Sequence, residues 1–186
     1  MITVNVLIVY YSITGKTKII AEAIYEGIKD SAKVKLKKLS EFNPTDFNNY
    51  DVIFTGAPCH DSDVAKSVKK LLNEIPENPQ FKLAGFVTHS CYPLEKGGKY
   101  IELFEKWVGK CSKTFDSITK EKKLEFLGFF RCMGAASAPI ENFINKEIIT
   151  DEKEFQEFLI ESRKHPDEND IKNAHSFALK IIKALN

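Results

Sequence analysis

Apolar and polar positions along this chain switch between two periods, and the switches mark out its elements. Val4 to Tyr10 is a nearly continuous apolar run, as in a strand buried on both faces of a parallel sheet. Ile20, Ala23, Ile24, Gly27 and Ile28 then form one helical stripe within residues 17–30. Residues 33–39 alternate, with Val34 and Leu36 facing inward and lysines outward, the pattern of an edge strand guarded by charge. Residues 51–56 read as a third strand, buried like the first. Val64, Val68, Leu71, Leu72 and Ile75 return to helical spacing, and residues 83–88 predict the fourth strand. Ile101, Phe104, Val108, Cys111 and Phe115 predict one further helix, and residues 124–130 the fifth strand. Ile171, Ala174, Ala178, Ile181 and Leu185 line the last helix.

With a weak, short helix near residues 44–49, strands and helices alternate throughout. That order predicts an α/β fold of three layers, a parallel sheet with helices on both faces. Residues 131–166 are longer than a connection requires. They predict an excursion after the fifth strand, with a short helix at 152–161 built on Phe155, Phe158 and Leu159. The chain shows no repeat, low-complexity stretch or linker, so residues 1–186 read as a single domain.

Composition narrows the function. Apolar residues make up 43% of the 186, enough for a sizeable core. The formal net charge is +1, and of the basic residues only Arg131 and Arg163 are arginines. Neither the charge nor the lysine clusters, which no aromatic residues interleave, make a nucleic-acid surface. The apolar N-terminal run is too short for a membrane span and lacks the basic start of a signal peptide, so a cytoplasmic protein is expected. Cys59, Cys91, Cys111 and Cys132 are widely spaced, without a C-x-x-C pair, and no metal site is expected. In a reducing compartment they are expected as thiols.

The chemistry begins where the first strand ends. Ser12-Ile13-Thr14-Gly15-Lys16-Thr17 offers hydroxyls, one glycine and the start of a helix, whose first amides point at an anion. Gly15-Lys16-Thr17 also ends an ATP-binding P-loop, but that motif needs a glycine five positions before Gly15, where Tyr10 stands. The loop suits a terminal monophosphate.

Strand, S/T-x-T-G-x-T/S loop and helix in this order resemble the phosphate loop of flavodoxins, and the order of elements agrees along nearly the whole chain. The resemblance implies a five-stranded sheet in the order 2-1-3-4-5, with FMN at the carboxyl ends of the first and third strands. It makes Ser12, Ile13, Thr14, Gly15, Lys16 and Thr17 the phosphate ligands. It gives the flavin ring to the loop after the third strand (Ala57, Pro58, Cys59, His60) and to the loop after the fourth (His89, Ser90, Cys91, Tyr92, continuing to Gly97). Tyr92 is the expected stacking partner, with His60 covering the other side.

Two departures from the family bear on the chemistry. Residues 57–63 contain no glycine, and Pro58 stiffens them, which argues against one-electron shuttling aided by a peptide flip. The near-neutral charge differs from that of the acidic flavodoxins. An electron carrier between protein partners is the first expectation, and an NAD(P)H-dependent reductase of a quinone or other small acceptor the second. The excursion would supply a wall over the flavin or a dimer contact, so monomer and homodimer both stay open. Cys59 and Cys91 read either as a redox-active pair or as small packing residues.

Overall fold

A computed structural model describes residues 4–185. Its strands are β1 (Asn5–Tyr10), β2 (Lys33–Lys38), β3 (Val52–His60), β4 (Asp63–Val64), β5 (Lys82–His89) and β6 (Phe126–Met133). The helices are α1 (Lys16–Ile28), α2 (Lys66–Asn73), α3 (Lys99–Trp107), α4 (Gly109–Glu121), α5 (Ala138–Glu147), α6 (Glu152–Lys164) and α7 (Glu168–Lys183). The sheet runs β2-β1-β3-β5-β6, all parallel, with the two-residue β4 attached antiparallel to β3. Counting only the long strands, that is the order 2-1-3-4-5.

The central strands read as continuous apolar runs because both faces are covered. Leu7, Val9, Ile53, Leu83 and Val87 pack beneath α2 and α4, with Phe47, Phe81 and Phe115. Val6, Ile8, Phe54, Ala84 and Phe86 pack beneath α1 and α7, with Ile20, Ile24, Ala174 and Ala178. On β2 the lysines of the alternating pattern project from the edge, while Val34 and Leu36 lean on the second of these layers. Gly56 is required on β3 for a different reason. A Cβ there would lie 2.0 Å from the ring of Phe86, so the strand passes directly under that ring.

Three differences from the sequence-based expectation bear on the site. The stretch 57–60 continues β3 instead of forming a loop. The helix expected through Ile101 and Phe115 is broken at Val108, whose φ of −130° leaves the helical region. The excursion holds two helices, not one. α5 and α6 form a third apolar cluster with Tyr92 and Met133, filled by Ile144, Ile149, Phe155 and Phe158.

α6 and α7 meet at a charged junction. Asp167 caps α7, accepting from the amides of Asn169 and Asp170 at 2.8 and 2.9 Å, so Pro166 precedes the helix instead of opening it. Nδ1 of His165 lies 2.5 Å from Oδ2 of Asp170, and Nε2 lies 3.5 Å from Glu161. Burial alone would lower the pKa of His165, but Asp170, Asp167 and Glu161 outweigh it and raise it.

Substituting Gly56→Ala forces the Phe86 ring or the strand to move. We expect a loss of about 3 kcal/mol or more in urea unfolding, or no folded protein. The raised pKa of His165 fixes a sign for the pH dependence. Its stabilisation is complete below the ordinary histidine value of about 6.5 and is lost as pH rises through the folded value. The urea midpoint is therefore expected to fall on the alkaline side of pH 6.5, and His165→Gln to remove that part of the fall.

Candidate functional site

Three loops leave the sheet at the same edge because the strands are parallel. The first follows β1. Gly15 stands at the head of α1 with φ +87°, in open space, so glycine serves the left-handed backbone there. Gly15, at the N-cap, has no side chain to cap this helix, and the first turn holds no acidic residue. The positive end of the helix faces the loop. Thr14 and Ile13 are exposed. Ser12 Oγ accepts from the amide of Lys18 at 3.3 Å. Thr17 is buried, and its hydroxyl shares a 2.8 Å hydrogen bond with that of Thr88 on β5. Thr17 thus ties the helix to the sheet, while Thr14 carries the open hydroxyl.

The second loop is a tight hairpin. β3 turns at Asp61 and Ser62, both left-handed with φ of 49° and 71°, and returns as β4. These two residues without glycine cost of order 1 kcal/mol each. The Asp63 carboxylate holds the turn closed. It accepts from the amide of Val64 at 2.7 Å, the Thr114 hydroxyl at 2.5 Å and the Lys69 ammonium at 2.6 Å. Burial works against the charge, but these three donors prevail and keep its pKa below the usual carboxylate range.

Between these loops lies a cavity of about 540 Å³, within the usual range of about 300–1,000 Å³ for small-molecule sites. Ile13, Thr14 and Thr17 line one end. Pro58, Cys59 and His60 of β3 form one side, and Thr88, His89, Ser90 and Cys91 its floor. The far wall is Trp107 and Val108 at the helix break together with Ile140, Phe143 and Ile144 of α5 and Ile148 just after it. The excursion therefore supplies a wall, as one of its two expected roles.

Ser12, Gly15 and Lys16 belong to the loop but not to the cavity lining, and Ala57 is wholly buried in the sheet core. Two of the expected ring-binding residues lie outside the cavity lining. Tyr92 does not line the main cavity and is only 7% exposed, packed edge-on against Tyr100 and Phe158 at 4.7 and 5.4 Å. The α5–α6 cluster has claimed it as core. Gly97 sits with φ +72° in the turn before α3 and lines no part of the cavity. Trp107 was missed because the helix containing it looked unbroken. The α5 wall left a readable signal in the spacing of Ile140, Ile144 and Ile148.

The histidines and cysteines of the cavity are held neutral. His89 is buried, and its pKa is pushed down to about 3 by burial and by Arg131. Its Nδ1 has no hydrogen-bond partner among the described residues. Burial also lowers His60, against the opposing charge of Asp61. The Cys59 thiol donates to the Trp107 carbonyl at 3.3 Å, and contact with the Cys111 thiol and burial push its pKa far up. Burial and Cys59 push Cys91 up to about 12. All four cysteines are free. As protonated thiols, Cys59 and Cys91 are poor nucleophiles, which favours the packing reading over the redox pair.

A flavodoxin domain model matches residues 7–179. The chain belongs to the flavodoxin family. It is 30% identical over 182 residues to BilS, a flavodoxin-like domain-containing protein of Clostridioides difficile, covering 95% of both. A flavodoxin structure from the domain Archaea superposes with a TM-score of 0.61 at 13% identity, over 97% of this chain and 98% of that one. Rubredoxin oxygen:oxidoreductase of Desulfovibrio gigas gives 0.64 at 15% identity, over 97% of this chain but 36% of its own. These two structures share the fold. No helix among the described residues is long and apolar enough to cross a membrane.

Replacing Asp63→Asn keeps the size of the side chain but removes its charge. We expect about 1–2 kcal/mol lost in urea unfolding, together with faster amide exchange at Ser62 to Val64 by hydrogen–deuterium exchange.

Proposed function

We propose that this flavodoxin binds FMN through the loop 12–17 and the adjoining cavity, and that it works as an electron carrier between protein partners. One observation carries the reading. A helix start with no acidic residue, an open Thr14 hydroxyl and a left-handed Gly15 form an anion cradle at the mouth of a mostly apolar cavity. A phosphate at one end and a planar ring at the other match that arrangement.

The residues present fit such a group. The helix amides and Thr14 would hold the phosphate, with Lys16 adding positive charge beside them. The apolar side chains of α5 and β3 would cover the ring and exclude water. His89 would meet the polar edge of the ring. Held neutral, it has one N–H and one bare nitrogen, and its orphaned Nδ1 costs about 1–3 kcal/mol until a partner arrives. Bound FMN would supply the reversible uptake and release of electrons.

A second reading, an NAD(P)H-dependent oxidoreductase acting on a small acceptor, draws on the α5 wall, which gives the cavity depth beyond the loop end. Mixing FMN-loaded protein with NADH or NADPH without oxygen separates the two. Rapid loss of the oxidised flavin absorbance supports the reductase, and no reaction supports the carrier.

Thr14→Ala is expected to weaken FMN about tenfold, the value of one charge-assisted hydrogen bond, and to leave riboflavin, which lacks the phosphate, unchanged. Thermal unfolding of the FMN-free variant should match the parent because Thr14 is exposed. Equal FMN affinity in variant and parent by calorimetry would remove the phosphate assignment.

A further inference from the structure

The end of the cavity away from the loop contains an unexplained donor. Trp107, the single tryptophan of the chain, lines this end, and its Nε1–H is buried with no hydrogen-bond partner among the described residues. An indole nitrogen is a donor only, so a buried one calls for an acceptor. The residue is also held in place more firmly than its position at a helix break would suggest. Its carbonyl, at the end of α3, accepts the Cys59 thiol at 3.3 Å, tying the break to β3. Lys106 lies 5.0 Å from the centre of its ring, and the Phe143 ring of α5 stands edge-on to it at 5.5 Å and 80°.

Phe143 and Ile140 are 40% and 44% exposed, so the apolar wall beside the indole lies open at the rim of the cavity. A fixed donor in the wall, an aromatic pair and an open apolar rim select one chemical class. We propose that Trp107, Phe143 and Ile140 form a subsite for a planar aromatic ring bearing a carbonyl or ring-nitrogen acceptor on its edge, which takes the Trp107 N–H. That chemistry has two sources, the flavin ring itself or a separate aromatic carbonyl acceptor bound beside it. The second case rests on the FMN reading above; the first needs only the ring.

A protein with one tryptophan shows one indole N–H signal in a proton–nitrogen NMR spectrum. Riboflavin, added to FMN-free protein, probes the flavin ring without the phosphate. Menadione, added to FMN-loaded protein, probes a separate acceptor. The subsite predicts that one of the two moves the indole proton downfield, and that Trp107→Phe, which keeps an aromatic ring and removes the N–H, weakens that same ligand about tenfold. A shift with riboflavin identifies the flavin ring as the occupant, and a shift with menadione a separate acceptor. An unmoved indole signal with both ligands, or equal affinity in parent and Trp107→Phe, overturns the proposal. Phe143→Ala, with its half-exposed side chain, gives a second variant expected to weaken the same ligand if Trp107→Phe does not fold. FMN affinity, measured separately, tells a failure here from a failure of the phosphate loop.

Discussion

The parallel pairing of β1, β3 and β5 is the constraint on which the rest depends. Tyr10 lies beside Gly56, and Pro58 beside Thr88, so the carboxyl ends of three strands stop at one edge of the sheet. Crossover helices then begin at that edge, and their positive ends face the same way. At Gly56 the ring of its register neighbour Phe86 occupies the space of a side chain. The Gly15 loop, the β3–β4 hairpin and the polar floor converge because the register leaves them nowhere else to go.

On that shared frame the chain carries features of its own. The Asp63 carboxylate, with three donors, closes the β3–β4 turn despite two left-handed residues. The break at Val108 swings Trp107 into the cavity, and α5 lays Ile140, Phe143 and Ile144, with Ile148 just after it, across the far side. His89, Cys59 and Cys91 are all held uncharged. With a formal net charge of +1, the chain carries no strong overall charge to set up a long-range field.

The sheet, its order and the turn with Gly15 at the head of α1 were legible because each follows from a local pattern. A run of apolar residues buried on two faces, or a glycine at a helix start, announces itself within a few positions. What stayed hidden was set by distant packing. Tyr92 stands in the loop where a stacking ring was expected, but Phe158 and Tyr100, far along or across the chain, draw it into a separate core. Ala57 to His60 read as loop beside a proline, yet Asp63 and its partners on α2 and α4 extend the strand through them. Thr17 read as one of three loop hydroxyls with Ser12 and Thr14, yet it is buried and shares its hydroxyl with Thr88. Trp107 was concealed by apolar positions that kept helical spacing across a real break.

The central claim is that residues 12–17 hold a monophosphate at the open end of α1. Phosphorus NMR of FMN mixed with the protein examines it directly. The account predicts a single phosphorus resonance displaced from that of free FMN and protected from broadening by added manganese ions. A resonance that stays at the free position and broadens as free FMN does would contradict it.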